Sequence, residues 1–368
     1  MQSVNPVAEK FVELYDWART TGSVVGKAIF RQSIHDFIVE ETLRFEPSGQ
    51  GAHHLLYIEK RNVNTDIVTH KLRRFAQVKP TDIGYAGKKD RFAIARQWFS
   101  VQLPLLQEID WQTFNDDEVQ VLKTTRHDKK LRIGAVKHNQ FKITLRDFVG
   151  DKERVEQKIQ QIEQHGFANY FGEQRFGHNG DNLTRGLELL QSNKRLKNRN
   201  LQGLLFSAVR SYLFNHVLSE RAKRDGFTEL FAGDYVQLDG SESGFTVTEL
   251  ANELPRFQQK DLHPTAPMPG RGRSNVSDQV LAFEQEVLAP YRDIIEQLQR
   301  KGLNAERRAI RIFPKNVKVL WHNDAINEAA NQTSLELSFS LPKGAFATSF
   351  LRELVELDIV RNNENTVE

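Results

Sequence analysis

The segment HNQFKITLRDFVGDKERVEQKIQQIEQHG, residues 138–166, changes its hydrophobic period half-way along. In its first part apolar and polar residues alternate from Phe141 to Leu145, which is the pattern of a strand with one buried face. In its second part apolar residues recur at helical spacing from Val155 to Ile162, and Gly166 provides a helix end. The chain therefore passes here from a strand-rich region into a helix-rich one.

The residues before this segment predict a mixture of strands and helices. Strand patterns occur at 36–41 and 54–61, with a turn-rich stretch between them. Residues 64–78 predict an amphipathic helix that begins near Asn64. The alternation at 131–148 predicts a further strand hairpin.

The residues after this segment predict mainly helices before strands return. The strongest helical pattern is 201–224, which carries an apolar stripe along its length. The stretch HPTAPMPGRGRSN, residues 263–275, is rich in proline and glycine and predicts a long exposed loop. Strand and helix patterns follow again at 335–342 and 346–354. The sequence thus indicates an α/β region at both ends of the chain, interrupted by a mostly helical insert from about 166 to 312.

Composition restricts the class of protein. At 368 residues the chain is longer than one core usually grows, so two domains are expected. It is 39% hydrophobic and 27% charged, has no apolar run long enough to span a membrane, and begins with a polar segment that does not resemble a secretory signal. With no cysteine it has no disulfide, thiol nucleophile or zinc-finger spacing. We therefore expect a soluble protein of the cytoplasm.

The net charge of +3 is small, so any nucleic-acid surface must come from local clusters of cations. One such cluster lies in GYAGKKDRFAIARQWFSV, residues 84–101, where Lys88, Lys89 and Arg91 surround Asp90. The spacing does not match a P-loop, which needs a second glycine followed by Lys and a hydroxyl residue. Taken alone, Asp90 fits two interpretations: a salt-bridged aspartate in a turn, or a nucleophile or electrostatic stabiliser in an active site.

Several segments together resemble the TruD family of tRNA pseudouridine synthases. The similarity covers most of the chain, in the order expected for the family. It is carried by DFIVEE…FEPSGQGAHHLLYIEKRNVNT, GYAGKKDRFAIARQWF, GAVKHNQFKITLR, NYFGEQRFGHNGDN (169–182) and LPKGAFATSFLREL.

The resemblance implies roles for particular residues. Asp90 falls on the catalytic aspartate of the family. Four residues fall on substrate-binding positions, where the aromatic rings would sandwich a flipped uracil and the amide would bond the base or Asp90: Phe37, Asn139, Phe141 and Phe346. Lys88, Lys89 and Arg91 are expected to contact RNA.

The resemblance also implies a fold and a reaction. The fold is α+β: a catalytic domain with a mixed, largely antiparallel sheet, formed by 1–165 and 313–368, and a mostly helical or mixed inserted TRUD domain at 166–312. The reaction is the isomerisation of uridine at position 13, in the D-arm of tRNA, to pseudouridine. We expect no metal or other cofactor, no membrane, tRNA as partner, and a monomer.

Two alternatives stay open on the sequence. One is a tRNA-binding or tRNA-folding protein on the same scaffold without catalysis. The other is a glycosidase-like enzyme that releases free uracil.

Overall fold

The structure of the protein is a computed structural model that describes residues 16–192, 194, 196–224, 226–323 and 333–359. The polar N-terminal segment 1–15, on which the expectation of no secretory signal partly rests, lies outside the described residues. The helices and strands up to the change of period are β1 Gly26–Phe30, β2 Phe37–Leu43, β3 His53–Arg61, α1 Thr65–Ala76, β4 Ile83–Tyr85, β5 Ile94–Gln102, β6 Val119–His127, β7 Val136–Gly150 and α2 Lys152–His165.

The remaining elements follow in chain order. They are β8 Phe167–Ala168, α3 Glu173–Phe176, α4 Asp181–Gln191, α5 Arg199–Lys223, β9 Tyr235–Leu238, β10 Gly244–Thr246, α6 Leu250–Gln258, β11 Leu262–Met268, α7 Asp278–Leu288, α8 Arg292–Arg300, β12 Glu306–Ala309, β13 Arg311–Ile312, β14 Lys315–Asn323, β15 Thr333–Pro342, α9 Ala347–Leu354 and β16 Glu356–Ile359.

The described residues form two compact units. The sheet unit comprises 24–160, 314–344 and 354–359, and the helical unit comprises 16–23, 161–313 and 345–353. The assignment of 1–165 with 313–368 to a catalytic domain, and of 166–312 to an insert, stays a proposal.

The sheet unit is built on one mixed sheet. Its main path runs β14-β15-β7-β2-β5-β3-β6, with β1 beside β7 and β16, and β4 beside β5. All pairings are antiparallel except β2 with β5 and β1 with β16. The predicted α+β class and largely antiparallel sheet are therefore confirmed.

Helix α1 covers one face of this sheet. Val68 and Leu72, one turn apart, are fully buried against strand residues such as Ile58 and Phe99. Burial of each side chain contributes roughly 2–3 kcal/mol. The helix ends at Gln77, which adopts the left-handed conformation of a C-cap. Residue 65, where α1 begins, is thereby held at the edge of this core.

The hairpin predicted at 131–148 is wrong. Only one strand forms in this region, β7 from Val136 to Gly150. It pairs with β2 and β15, which are distant in sequence, and not with a strand formed by the residues just before it. Leu131 fits the strand pattern in the sequence because its side chain is buried. Its N–H, however, donates to the Ser100 hydroxyl at 3.0 Å and not to a neighbouring strand. Gly134, with a φ of 93°, then forms a turn into β7.

The helical unit is centred on α5, which has the length and apolar stripe expected from the sequence. Helix α4 crosses it closely at Gly186, where a Cβ would lie 2.5 Å from the Leu205 carbonyl oxygen. A small sheet in the order β10-β9-β11-β12 completes the unit. No helix of the described residues is long and apolar enough to cross a membrane.

The exposed loop predicted at 263–275 is wrong in its first half, because residues 262–268 form the buried strand β11. The strand changes partner midway: it pairs with β9 up to Pro264 and with β12 from Thr265 onward. Pro264 has no N–H to donate to Ile310, the residue opposite it. The Ile310 carbonyl accepts a hydrogen bond from the Asn169 N–H instead, so it is not left without a donor. Pro264 is thus tolerated, and within 263–275 only residues 271–275 are exposed.

Candidate active site

Asp90 lies in the loop between β4 and β5, and its carboxylate is held by Arg31. The Arg31 Nη2 donates to Asp90 Oδ2 at 2.7 Å, and the side chains are 15% and 32% exposed, respectively. Arg31 follows β1 directly with a φ of 63°, a conformation that non-glycine residues adopt rarely. The Asp90 carboxylate is therefore oriented by a cation and still reachable from solvent, as a reacting group needs to be.

The guanidinium of Arg31 is in turn supported by aromatic rings. It lies over the Phe37 ring at 4.4 Å from the centroid and over Phe30 at 5.0 Å. These cation–π contacts contribute on the order of 0.5–2 kcal/mol. Phe37 is only 3% exposed, and Arg31 covers one face of its ring, so in this structure Phe37 supports the residue that holds Asp90. Its predicted contact with uracil stays a prediction.

The main chain of the Asp90 loop is anchored by buried polar side chains. The Gln97 amide donates to the Gly87 carbonyl at 3.2 Å, and the Lys89 N–H donates to the Thr65 hydroxyl at 3.1 Å. The Thr65 hydroxyl donates onward to Gln97 Oε1 at 3.0 Å. The Lys60 ammonium donates to the Asp90 carbonyl at 2.6 Å. These bonds attach the loop to the sheet face and to the first turn of α1.

The three cations of the loop differ in their surroundings. Lys89 is 8% exposed and forms an ion pair with the fully buried Glu41 at 2.7 Å. Burial raises the pKa of Glu41, while Lys89 and the Trp98 N–H oppose that rise. Lys88 pairs with Asp66 at 2.7 Å on the surface.

Arg91 is exposed, and its side chain has no hydrogen bond or ion pair within the part of the chain that the structure describes. The prediction that all three cations contact RNA stays a prediction. Of the three, Arg91 is the one whose charge is not already paired.

Asn139 and Phe141 lie on one face of β7. Glu41 is opposite Asn139, and Val39 is opposite Phe141, in the register of β2 with β7. Since side chains two residues apart point to the same face, the Lys89–Glu41 pair brings the Asp90 loop to the side of the sheet that carries Asn139. Asn139 Oδ1 is buried and has no hydrogen-bond partner among the described residues.

Phe141 belongs to a row of buried aromatic rings. Its centroid lies 6.0 Å from that of Phe37 and 5.5 Å from that of Phe339, and Phe37 lies 5.7 Å from Phe30. Phe141 is 7% exposed. Phe141 thus places this apolar row next to Asn139 on the same face of β7.

Phe346 belongs to the helical unit. It directly precedes α9, and its ring packs on Phe171 at 6.0 Å between centroids. Phe171 also packs on Phe214 at 5.5 Å between centroids and contacts the guanidinium groups of Arg308 and Arg175 at 4.2 and 5.2 Å. Phe346 is partly exposed. That it joins Asp90 in one site stays a prediction.

Arg31 and Lys60 were not found from the sequence. Arg31 lies outside the segments that carry the resemblance, and Lys60 lies within one without a predicted role; they reach Asp90 over separations of 59 and 30 residues, respectively. The only signal for Lys60 is its place in β3, where Leu56 and Ile58 at the same parity indicate a buried position.

The sequence was compared with those of known protein families and proteins, and it matches one family over most of its length. The family model described as tRNA pseudouridine synthase D (TruD) matches residues 18–196 and 191–354. This chain belongs to the TruD family. The match covers both β7, with Asn139 and Phe141, and the Asp90 loop, so the resemblance based on those segments is confirmed.

Individual TruD proteins extend the match to nearly full length. A tRNA pseudouridine synthase D of Methylococcus capsulatus is 40% identical over 344 residues, which are 93% of this chain and 95% of that protein. Its counterpart from Shewanella oneidensis is 41% identical over 341 residues, covering 92% and 89%. A crystal structure of a Methanosarcina mazei protein, provisionally described as tRNA pseudouridine synthase D, has a TM-score of 0.70 at 22% identity and covers 92% of this chain and 95% of that one. This last likeness supports the fold alone.

Proposed function

We propose that this TruD protein isomerises a uridine of tRNA to pseudouridine, with Asp90 as the catalytic residue. Family membership supports the reaction, since the similar proteins carry the name tRNA pseudouridine synthase D. The observation that supports Asp90 is its carboxylate, which is held by Arg31 yet open to solvent on a loop fixed by buried bonds. Position 13 of the D-arm, implied by the resemblance, is the proposed target.

The reaction breaks the N1–C1′ bond of uridine and joins the same uracil to C1′ through C5. The C5 proton leaves and N1 ends protonated, so substrate and product have the same formula. The exchange consumes no oxidant, reductant or nucleotide, and we propose that it needs no cofactor. Asp90 could attack C1′, attack the base or remove a sugar proton, and each route starts from a carboxylate that faces either the ribose or the base.

Asn139 is suited to bind the edge of a flipped uracil. That edge carries an imide N–H between two carbonyl oxygens, and an amide side chain offers an acceptor and two donors. The buried, unpartnered Oδ1 of Asn139 supports this role, because binding the imide N–H would satisfy it. Alternatively, the NH2 group of Asn139 would donate to the Asp90 carboxylate. Phe141, next on the same face, would contact the ring, and Phe346 is proposed as a further aromatic contact of the base.

The remaining proposals concern how tRNA is bound, the oligomeric state and the location in the cell. We propose that tRNA is bound mainly through its shape and phosphates, with Arg91 as one phosphate contact. We also propose that the enzyme acts as a monomer in the cytoplasm.

The reaction is tested by incubating the protein with an unmodified tRNA transcript and analysing the products. Pseudouridine formed without change of RNA mass is expected. Free uracil would instead identify a glycosidase, and bound tRNA without either product would identify a binding protein. The Asp90→Asn variant is expected to form no pseudouridine while its affinity for tRNA stays within a few-fold, because stacking and phosphate contacts are retained. Full activity of that variant would contradict the role of Asp90.

A further inference from the structure

Lys60 is a buried cation whose partners are backbone carbonyls. Its side chain is completely buried on the face of β3 that also carries Leu56 and Ile58. Its ammonium donates to the Asp90 carbonyl at 2.6 Å and to the Val63 carbonyl at 2.8 Å. Among the described residues, no carboxylate lies within ion-pair distance of it.

A buried cation without a carboxylate partner lowers the stability of the fold, so a purely structural role does not explain it. The pKa of Lys60 is lowered to about 8: burial is the main cause and Lys89 adds to it, while the charge of Asp90 opposes the shift. Other buried charges of the sheet unit, such as Glu41 and Asp36, are compensated by cations. A buried charge held on two carbonyls, one of them belonging to the proposed catalytic residue, indicates a role at the site.

The two carbonyls belong to different segments. Val63 lies between β3 and α1, and Asp90 lies in the loop before β5. One ammonium therefore ties the start of α1 to the main chain of the aspartate. Hydrogen bonds from a charged donor are roughly twice as strong as those from a neutral one. The clamp is thus strongest while Lys60 carries its proton.

We propose that Lys60 is a positioning residue for the isomerisation: its charged ammonium holds the backbone of Asp90 so that the carboxylate meets the ribose and base in the reactive orientation. This inference rests on the proposed function. It predicts that loss of the ammonium lowers the rate of the chemical step and leaves tRNA binding almost unchanged.

The first test compares Lys60→Met with Leu72→Ala. Both remove buried contacts beside α1, but Leu72 has no polar contact with the Asp90 loop. The single-turnover rate of Lys60→Met is expected to fall about tenfold or more, with tRNA affinity within about threefold. Leu72→Ala is expected to lower the melting temperature while the folded fraction keeps the wild-type rate. Equal rates for the two folded variants would overturn the proposal.

The second test uses the absence of cysteine from the sequence. In Lys60→Cys the only thiol can be aminoethylated in the unfolded chain and refolded, which restores an ammonium at this position with a lower intrinsic pKa. The modified protein is expected to regain most of the rate, and its alkaline limb is expected to shift to lower pH than that of the wild type. Restored rate with an unshifted limb, or no restoration in a folded protein, would count against the proposal.

The pH profile separates this role from simple stability. The groups whose charges act on Lys60 are Asp90 and Lys89, and Lys89 is itself paired with Glu41. The wild-type rate is expected to fall as the pH rises through about 8, where the ammonium loses its proton. The stability contribution of Lys60 moves the other way: folding releases its proton between about pH 8 and its ordinary pKa of 10.5, so a rising pH favours the folded chain.

The outcomes distinguish this inference from the proposed function. A wild-type protein that forms no pseudouridine contradicts the function itself. The role of Lys60 alone is contradicted if the wild type is active but its rate does not fall between pH 7 and 9, and if Lys60→Met also keeps the full rate under the same conditions.

Discussion

Arg31 links two residues that the sequence suggested separately. Its guanidinium holds the Asp90 carboxylate and lies on the ring of Phe37. The aromatic residue thus acts on the site through the arginine, as well as through any contact it makes with the base. The left-handed backbone at residue 31 is the local strain that aims the side chain at Asp90.

Removal of this cation is expected to slow catalysis. Arg31→Met should lower kcat about thirtyfold, since a hydrogen bond to a charged group is worth about 2 kcal/mol. Arg31→Lys should recover part of the loss, because the charge is kept but the planar group over Phe37 is not. The control is Arg61→Met, which removes an ion pair with Glu59 on the opposite face of β3. Steady-state kinetics measure all three, and equal kcat for Arg31→Met and Arg61→Met would contradict the role of Arg31.

At the level of single residues, the sequence identifies the groups that react and misses those that position them. Asp90 and Asn139 stand in segments long enough to be recognised as a family pattern. Arg31 and Lys60 are ordinary cations until the fold brings them to the Asp90 loop. Their contacts depend on strand register and on the turn after β1; the sequence indicates at most that Lys60 is buried, and it does not indicate that either cation meets Asp90.

The first turn of α1 and the Asp90 loop are one structural element joined by side chains. The Thr65 hydroxyl accepts from the Lys89 N–H and donates to Gln97, and both side chains are buried. Any movement of the helix start therefore moves the loop.

Thr65→Val removes this link with almost no change of shape. The free energy of unfolding is expected to fall by about 1–3 kcal/mol, because a buried amide and a backbone N–H lose their partner. The turnover number is expected to fall several-fold. Thr69→Val is the matched control on the same helix, since among the described residues its hydroxyl bonds only the Thr65 carbonyl. Chemical denaturation and kinetics of both variants test the link, and a control as impaired as Thr65→Val would refute it.

At the level of elements, the hydrophobic period was reliable where a strand or helix buries one face. It predicted β7 and α2 because each packs one side against a core, and it predicted α5 although that helix is buried nearly all round between Leu205 and Ser219. It failed at 262–268 because both faces of β11 are buried and proline masks the strand pattern. Strand order could not be read either, because the residues that pair with β7 lie at least 93 positions before or after their partners.

For the whole molecule, the net charge is small, so tRNA binding must depend on particular cations. Arg91 is expected to contact a phosphate. Arg91→Ala should weaken tRNA binding and reduce the slope of log affinity against log salt by about one unit, with a smaller effect on single-turnover rate at saturating enzyme. Lys223→Ala, which removes a cation already paired with Glu220, should leave the slope unchanged. Filter binding over a range of salt measures both, and an unchanged slope for Arg91→Ala would exclude the phosphate contact.

The division of the chain into two compact units was partly foreseeable. The change of period near residue 151 indicated a helical region, and the return of strands before 342 indicated that the first region is resumed. The structure adds that 345–353, which includes Phe346, groups with the helical unit. That detail depends on packing of Phe346 and Phe350 against residues of 167–171, which no local pattern reveals.

The central claim, an Asp90-dependent isomerisation of tRNA uridine, is tested most directly by mapping pseudouridine in tRNA from cells that lack this protein. The account predicts that uridine 13 is unmodified in these cells, that supplying the wild-type protein restores pseudouridine there, and that supplying Asp90→Asn at equal abundance does not. Pseudouridine at position 13 without the protein, or restored by Asp90→Asn, would contradict it.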